Sequence, residues 1–174
     1  DKGLSVQLLY GTIQNLQRID FYIGCYSSVK LRKIMPQVLD CLRLGVYQLV
    51  FLQKIPVSAA VNESVNLARR NSKNPRSPTL VNGILRSFCR AQENLPQPDD
   101  LATRYSHPQW LVDLLSQEIP AAELESLLAS NNAEPPTTIQ TNTLKCTAEE
   151  LEKELRAKWK EEREATSTAD MAAA

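Results

Sequence analysis

Six basic side chains lie close together in the sequence and could bind a polyanion. They are Arg69, Arg70, Lys73, Arg76, Arg86 and Arg90. Arg86 and Arg90 are four residues apart, so they share one helical face and could reach neighbouring phosphates. Grouped lysines and arginines attract a polyanion and gain entropy as counterions are released. The six charges are also typical of an ordinary solvated surface, and Arg86 and Arg90 could instead pair with Glu63 or Glu93.

Other residue types that do chemistry are sparse or isolated in this sequence. His107 is the single histidine, and because no partnered nucleophile lies nearby in sequence, we interpret it as a structural residue at a helix start. The four cysteines, Cys25, Cys41, Cys89 and Cys146, are far apart and form no CxxC pair. The sequence therefore predicts no metal site. Three of the cysteines fall in apolar helical patterns and are expected to be small buried hydrophobes in a reducing cytosol.

Composition and charge exclude several classes of protein. The chain has 174 residues, of which 43% are hydrophobic, and this is enough for a core. Its 20 basic and 20 acidic residues cancel, so the net charge does not indicate nucleic-acid binding by itself. Basic residues are in excess between Lys30 and Arg104, whereas the chain from Ala121 onward is rich in glutamate. We find no signal peptide and no apolar run near the ~20 residues that span a bilayer, so we predict a cytoplasmic protein without membrane association.

A long apolar helix is predicted at the centre of the structure. Its apolar face has a residue at every third or fourth position: Leu31, Met35, Val38, Leu42, Val46, Leu49 and Leu52. This spacing is one face of a helix that several neighbours must cover in a bundle. Pro36 suits the first turn, and Pro56 ends the helix near Lys54. Gly45 lies in the middle, where we expect another helix to approach the backbone closely.

Two further helices carry the six basic residues. Ser58 is the predicted N-cap of the first, which buries Ala60, Val61, Val65 and either Leu67 or Ala68. A loop, NSKNPRSP, comes next because it contains two prolines and four turn-forming residues. The second helix opens at Thr79, and its apolar side is Leu80, Val81, Ile84, Leu85 and Phe88.

Shorter elements are predicted after this helix pair. Asp99 or Asp100 caps a short helix that runs through Tyr105. Ser106 then caps a helix in which we interpret Trp110 as a core anchor and not as a base-stacking platform. A further helix ends at Asn131-Asn132, a pair that tolerates left-handed backbone.

The C-terminal part of the sequence changes character. The segment EPPTTIQTNTLK, residues 134–145, is predicted to be extended or a strand. Thr147 and Glu150 have the spacing of a capping box, which predicts a last helix. Beyond Arg156 the apolar stripe gives way to a charged and alanine-rich tail, which we expect to fray.

Two parts of the chain resemble a known family in collinear order. LRLGVYQLVFLQKIPVSAAVNESVNLARR and LVNGILRSFCR are similar to the all-helical RNA-binding domain of the antitermination factor NusB. This domain is shared by the N-terminal region of bacterial ribosomal RNA cytosine-C5 methyltransferases of the RsmB (Sun, Fmu) family. RYSHPQWLV and NNAEPPTTIQTNTLKCTAEEL resemble the region that comes after this domain in the methyltransferases and that free-standing NusB lacks. The resemblance covers residues 1–156.

The resemblance implies an all-α fold, a NusB-like helical bundle followed by a short strand-helix appendage. The implied domains are an RNA-binding bundle at 1–95, a helical linker region at 96–132 and the start of an α/β subdomain at 133–156. Residues 157–174 would be a natural disordered tail or, as we favour, a non-family tail in which the sequence departs from the family through truncation before the catalytic domain or a reading-frame change. Compared with the family, an opening helix is missing, and an uncovered apolar groove is expected in the bundle.

The resemblance also implies a function and the parts that this chain lacks. Family members use S-adenosylmethionine, a glycine-rich loop and a cysteine thiolate. This chain has five glycines without such a cluster, and no cysteine in a Pro-Cys setting, so we predict no catalytic residue and no cofactor here. Asn142 matches a polar family position, but Gln140 replaces the usual arginine, which argues against an RNA contact on this strand.

The function predicted from the resemblance is docking of a methyltransferase on small-subunit rRNA. The six basic residues would bind the RNA, and the other implied partner is the catalytic domain of the parent chain. Alternatives are a NusB-type transcription antitermination or protein-interaction module, in which an exposed groove accepts a partner helix, or a fragment without activity of its own.

Overall fold

The computed structural model describes residues 2–91, 94–133 and 138–172, with side chains described through residue 160. The helices are α1 (Lys2–Gln14), α2 (Leu16–Tyr26), α3 (Pro36–Phe51), α4 (Val57–Asn71), α5 (Ser77–Arg90), α6 (Leu101–Tyr105), α7 (Gln109–Glu118), α8 (Ala121–Asn131) and α9 (Ala148–Ala172). A short 3-10 turn covers Leu31–Lys33. The all-α class predicted from the sequence is confirmed. The chain divides into two compact units, Asp1–Ala133 and Glu134–Ala174.

Helix α3 lies at the centre of the first unit, as its sequence predicts. It packs against α1, α2, α4 and α5. Val38, Leu42 and Val46 are each no more than 1% exposed, because a spacing of four residues places them on one helical face. Pro36 occupies the first turn, where no helical hydrogen bond is lost.

Gly45 is the point at which α3 meets both α4 and α5. A Cβ atom added at this residue would lie 2.7 Å from Ser64 Oγ and 2.8 Å from Leu85 Cδ1. Both distances are well below the ~3.5–4.0 Å of ordinary contact between carbon atoms. Ser64 Oγ is held by donating to the Ala60 carbonyl at 2.8 Å, and Leu85 is fully buried. The predicted close approach at Gly45 is confirmed. A glycine is required here because no room is left for a side chain.

Helix α2 is attached to the bundle by an ion pair and by an edge-to-face aromatic contact. Arg43 of α3 donates from Nε to Asp20 Oδ1 at 2.8 Å and from Nη2 to Asp20 Oδ2 at 2.7 Å. These hydrogen bonds raise the pKa of Arg43, as expected for a two-pronged guanidinium–carboxylate pair. Tyr22 packs edge-on against Phe88 of α5, with ring centroids 5.8 Å apart. Helix α5 therefore contacts α2 in addition to α3 and α4.

Helix α1 presents apolar side chains to solvent. They are Val6 (48% exposed), Leu9 (55%), Tyr10 (66%) and Ile13 (59%). Spacings of three and four residues put these side chains on one face. The helix ends before Asn15, whose side-chain amide donates to the Gly11 carbonyl at 2.9 Å. The uncovered groove expected from the sequence stays a prediction.

Helices α6, α7 and α8 surround a smaller core in the first unit. Its buried residues are Ala102, Val112, Leu124 and Leu128. Asp100 caps α6 as predicted, since its carboxylate accepts a hydrogen bond from the Thr103 backbone N–H at 2.6 Å. This bond lowers the pKa of Asp100. Ser106 Oγ accepts a hydrogen bond from the Arg18 backbone N–H at 3.1 Å, which attaches the smaller core to α2.

The prediction that Trp110 anchors a core is wrong. Its side chain is 67% exposed. Val112 is the residue of α7 that faces the smaller core. Two residues turn the helix by about 200°, so Trp110 points away from that core.

Several predicted helix boundaries also differ from the structure. Two predicted N-caps are wrong. Pro56, not Ser58, is the N-cap of α4, and Pro108, not Ser106, is the N-cap of α7. Ser106 instead has left-handed backbone, with φ 54°, at the end of α6. Helix α8 ends at Asn131 as predicted, but Asn132 has φ −90° and does not use the left-handed backbone that the pair tolerates. Helix α5 begins at Ser77, two residues before the predicted Thr79.

For residues 134–145 the sequence predicts an extended segment or a strand, and no strand is present in the part of this segment that the structure describes. Residues 138–147 contain a turn at Thr143–Lys145 and no β-strand. The turn forms because the Asn142 carbonyl accepts hydrogen bonds from Lys145 N–H at 2.9 Å and Cys146 N–H at 3.2 Å. A strand would need a partner for its backbone groups, and the described chain provides none. Residues 134–137 lie outside the described residues.

The predicted capping box of the last helix is confirmed. Thr147 N–H donates to Glu150 Oε2 at 2.8 Å, and Glu150 N–H donates to Thr147 Oγ1 at 3.2 Å. Helix α9 then continues to Ala172, past residue 156, where the sequence predicted fraying to begin. Alanine, glutamate, lysine and arginine favour helix strongly. Pairs four residues apart, such as Glu152 with Arg156, add to this preference.

Replacing Gly45 tests the packing at the centre of the bundle. Gly45→Ala should lower the free energy of unfolding by about 1–3 kcal/mol, because a buried methyl group must displace Ser64 or Leu85. Gly83→Ala on α5 is the matched control, since an added Cβ there meets no atom within 4 Å. It should raise stability by about 0.5–1 kcal/mol through helix propensity. Urea unfolding followed by circular dichroism measures both, and equal effects would contradict the close approach.

A second pair of substitutions tests which large side chains belong to the core. Leu42→Ala should lower the free energy of unfolding by about 2–5 kcal/mol, because the side chain is fully buried and leaves a cavity. Trp110→Ala should change it by no more than about 0.5 kcal/mol, as is usual at exposed positions. Thermal and urea unfolding provide the measurement. A loss in Trp110→Ala comparable to that in Leu42→Ala would place the tryptophan in a core.

Candidate nucleic-acid interface

Helix α4 ends in two exposed arginines. Ala68 is fully buried and faces the bundle, so the next two residues, Arg69 and Arg70, turn away and are exposed. Arg69 Nη1 donates to Asn66 Oδ1 at 2.7 Å, which holds its guanidinium against the helix surface. Cations in the last turn interact favourably with the negative end of the helix dipole. The end of α4 therefore tolerates two like charges side by side.

The loop between α4 and α5 is held by its own polar side chains. Ser72 Oγ lies 2.7 Å from Ser77 Oγ and accepts a hydrogen bond from Asn74 N–H at 3.2 Å. Asn74 Oδ1 in turn accepts from Arg76 N–H at 3.0 Å. Such local bonds fix a turn without help from a sheet or helix. Lys73 and Arg76 are exposed on this ordered loop.

We call Arg69, Arg70, Lys73 and Arg76 together the basic strip. Within the described part of the chain, none of the four forms an ion pair with a carboxylate. The acceptors that they contact, where any is found, are neutral amides. The positive charge of the basic strip is therefore not compensated by those residues, and it is available to an anion.

Arg86 and Arg90 lie at the other end of α5, beside the beginning of α4. They border a groove of about 670 Å³, which we call the Arg86 groove. Its lining residues are Val57, Ser58, Val61, Asn62, Arg86, Cys89 and Arg90. Ten residues separate Arg76 from Arg86, and this corresponds to about 15 Å along a helix axis. The structure thus divides the six predicted residues between two surfaces.

The predicted alternative, that these two arginines pair with glutamates, is not found among the described residues. Arg86 Nε donates to Asn82 Oδ1 at 2.8 Å, and Arg90 Nη2 donates to Ser87 Oγ at 3.0 Å. Glu63 forms no ion pair in the described part of the chain, and Glu93 lies outside it. Both guanidinium groups are therefore oriented by neutral acceptors.

Cys89 lines the Arg86 groove and is partly exposed. Burial raises the pKa of its thiol, and the nearby charge of Arg86 lowers that pKa in part. Since the raising effect prevails, the thiol is protonated near neutral pH and is not an activated nucleophile. Burial also raises the pKa of Cys41 and of Cys25.

The remaining residues that the sequence singles out have local structural contacts. His107 is buried, and its Nδ1 lies 2.8 Å from the Tyr105 carbonyl oxygen. This contact agrees with the structural role predicted for it. Asn142 Oδ1 accepts a hydrogen bond from Leu144 N–H at 3.1 Å within its own turn, and Gln140 is exposed nearby in sequence.

The described residues form neither a metal-binding cluster nor a membrane-spanning helix. No group of three or more histidine, cysteine, aspartate or glutamate residues is placed there to hold a metal ion. None of the helices there is long and apolar enough to cross a bilayer.

Sequence reasoning missed the wall of the groove that α4 supplies. Val57, Ser58 and Asn62 line it, but the sequence pattern predicted Ser58 only as an N-cap and gave no signal of a binding role at Val57 or Asn62. Val57 lies three and four residues before the buried Ala60 and Val61, so it continues the apolar stripe of α4 at the first turn, yet it is 45% exposed. The sequence alone carries no signal of that exposure. The groove itself depends on the pairing of α4 with α5, which a single sequence does not show.

Comparison with known proteins gives two matches along the chain. Residues 1–90 match the NusB family. Residues 107–173 match a family described as the ferredoxin-like domain of RsmF/B-like methyltransferases. The first match contains the central helices, the basic strip and the Arg86 groove. The second includes α7, α8 and the described part of the second unit.

Similar curated proteins carry names that refer to ribosomal RNA. The probable ribosomal RNA small subunit methyltransferase B of Synechocystis sp. is 35% identical over 160 residues, which are 89% of this chain and 36% of the relative. The protein of the same name from Bacillus subtilis is 35% identical over 159 residues, 87% of this chain and 34% of the relative. The ribosomal RNA small subunit methyltransferase B of Erwinia tasmaniensis is 34% identical over 143 residues, 82% of this chain and 33% of the relative.

The chain spans about a third of the length of these curated relatives. The family match and the helical bundle agree with each other, since the matched residues 1–90 are the helices α1 to α5. The chain therefore belongs to the NusB family, and its NusB domain is followed by a region that matches the ferredoxin-like domain of RsmF/B-like methyltransferases.

Proposed function

We propose that this chain is the RNA-binding N-terminal region of a 16S rRNA (cytosine-C5) methyltransferase and docks that enzyme on small-subunit rRNA. The observation that carries the proposal is the basic strip, four exposed cations without a carboxylate partner among the described residues. It lies within the match to the NusB family. The names of the similar curated proteins supply the substrate class, ribosomal RNA of the small subunit.

Phosphate binding is the chemistry that the basic strip supports best. An RNA backbone presents a regular row of negative charges, and each neutralised phosphate releases counterions. Arginine also offers paired N–H donors that fit two phosphate oxygens. Contacts to phosphates position a protein on RNA but carry little sequence information. The basic strip would therefore hold the chain on structured rRNA, and other residues would choose the site.

Catalysis is assigned to a part of the parent protein outside this chain. Methyl transfer to cytosine C5 needs a bound methyl donor and a cysteine thiolate. In this chain Cys41 is buried, and burial raises the pKa of Cys41 and Cys89. These thiols are poor candidates for the nucleophile, which supports a docking role without chemistry.

A second candidate function is docking of a protein partner. It is favoured by the exposed apolar face of α1, since exposed apolar patches on soluble domains often mark interaction sites. An amphipathic partner helix could cover such a face. The salt dependence of binding separates this function from RNA binding, because a protein-docking chain has no salt-dependent affinity for rRNA.

Neutralising the basic strip tests the proposed function. The change is Arg69→Gln, Arg70→Gln, Lys73→Gln and Arg76→Gln in one chain. The slope of log affinity against log salt for a small-subunit rRNA fragment should flatten by up to ~0.7–0.9 per phosphate contact removed. Fluorescence anisotropy at several salt concentrations measures it, and circular dichroism should show unchanged helical content.

The matched control for this variant removes the same number of charges from the second unit. Lys145, Lys153, Arg156 and Lys160 are exposed there, and their replacement by glutamine should leave the salt slope near that of the unchanged chain. If the basic-strip variant binds rRNA with unaltered affinity and slope, the strip is ordinary solvated surface and the protein-docking function becomes the better one.

If catalysis lies outside this chain, the chain should not bind the methyl donor. Isothermal titration of this chain with S-adenosylmethionine should show no binding heat, because its five glycines form no glycine-rich cluster of the kind that holds the methyl donor. A parent protein with its full length serves as the positive control. A dissociation constant in the micromolar range for this chain would place a methyl-donor site within it.

A further inference from the structure

The two walls of the Arg86 groove differ in chemistry. Helix α5 supplies a charged wall, with Arg86 and Arg90 one helical turn apart. Helix α4 supplies a neutral wall of Val57, Ser58, Val61 and Asn62. Among the described residues that line the groove there is no carboxylate. An occupant of this groove must therefore combine an anionic group with a neutral body.

The charged wall is prepared for an anion of phosphate type. Arg86 donates one hydrogen bond to Asn82 Oδ1 at 2.8 Å, and Arg90 donates one to Ser87 Oγ at 3.0 Å. A guanidinium has five N–H donors, so most remain for a ligand. Side chains four residues apart on a helix have Cβ atoms about 5–6 Å apart, which allows both arginines to reach one phosphate or two adjacent ones.

The neutral wall fits a flat, partly apolar group. Val57 is 45% exposed and presents its methyl groups to the groove, with Val61 and Cys89 as further apolar contacts. Ser58 and Asn62 add a hydroxyl and an amide, which donate and accept hydrogen bonds. The volume of about 670 Å³ lies in the range of about 300–1,000 Å³ that is typical of small-ligand sites. A nucleobase has these properties.

We propose that the Arg86 groove binds one unpaired nucleotide of an RNA strand, with the phosphate on Arg86 and Arg90 and the base against Val57 and Val61. The inference rests on the proposed function, because it takes RNA as the ligand. It goes further by assigning a site for a base, at the opposite end of α5 from the basic strip.

The nucleotide must be unpaired for a geometric reason. In an A-form duplex the bases are stacked and paired, and the deep major groove is closed to side chains. Loops, bulges and strand ends present bases that can turn outward and enter a protein site. The Arg86 groove should therefore prefer single-stranded RNA, whereas the phosphate contacts of the basic strip do not require unpaired bases.

Cys89 gives a direct test, because its thiol lines the groove. The intact chain is treated with N-ethylmaleimide, and alkylation of each cysteine is followed by mass spectrometry of its peptide. A short single-stranded RNA of mixed sequence, at about ten times its dissociation constant, should slow alkylation of Cys89 about tenfold, because only the free protein reacts. Cys25, which is exposed on α2, serves as the internal reference and should react at an unchanged rate.

Two double variants test whether Arg86 and Arg90 hold the bound RNA. Arg86→Gln with Arg90→Gln should abolish protection of Cys89 and weaken single-stranded RNA binding by about tenfold, the factor expected for lost charge-assisted hydrogen bonds. Because Arg86 also influences the thiol, rates with and without RNA are compared within each variant. Arg69→Gln with Arg70→Gln removes the same charge from the basic strip and should leave protection of Cys89 intact at saturating RNA.

Other outcomes would overturn the inference in distinguishable ways. If RNA binds with a salt slope that depends on the basic strip but leaves Cys89 unprotected, the groove is not a nucleotide site and the proposed function stands. Equal protection by the same RNA paired with its complement would contradict the requirement for an unpaired base. Equal protection by polyglutamate would assign the groove to acidic peptides. Absence of any RNA binding would overturn both proposals.

Discussion

The close approach of three helices at Gly45 is the constraint on which the rest of the first unit depends. Because α3 has no side chain there, Ser64 of α4 and Leu85 of α5 reach its backbone. A helix pair pinned at its middle has its two ends fixed relative to the core. The basic strip lies at one of these ends and the Arg86 groove at the other. Packing deep in the bundle thus determines where surface charge is presented.

Two groups of arginines in the described part of the chain differ in the charge of their partners. Arg43 is held by Asp20 with two short hydrogen bonds, and Arg104 contacts Glu125 at 3.1 Å. These arginines join one element to another and are charge-compensated. The arginines of the basic strip and of the groove contact neutral oxygens, where they contact side chains at all. Apart from its interaction with a helix dipole, an uncompensated surface cation adds little to fold stability. The difference therefore favours a role in binding.

Periodicity predicted the parts of the fold that depend on one helix and one core. The buried face of α3 and the packing role of Gly45 are of this kind, and so is the local Thr147–Glu150 cap, which needs only a spacing of three residues. The prediction that Trp110 is a core anchor was wrong because the sequence does not show which face of α7 a neighbouring helix covers. The described part of 134–145 forms no strand, because residues with strand propensity need a partner strand beside them. The division of six cations into two surfaces required the pairing of α4 with α5, a tertiary fact that sequence spacing does not contain.

The separation of the two candidate RNA surfaces has a consequence for recognition. Phosphate contacts can slide along a strand because the backbone repeats, so a basic strip without a second site leaves the register of the RNA undefined. A groove that admits one unpaired base removes this freedom, since only a turned-out base fits it. The two sites are about 15 Å apart along α5, by the rise of a helix, and the packing at Gly45 holds that spacing constant. A rigid helix pair would then select an RNA in which backbone and unpaired base lie at this distance, so shape can be read even though few side chains reach a base.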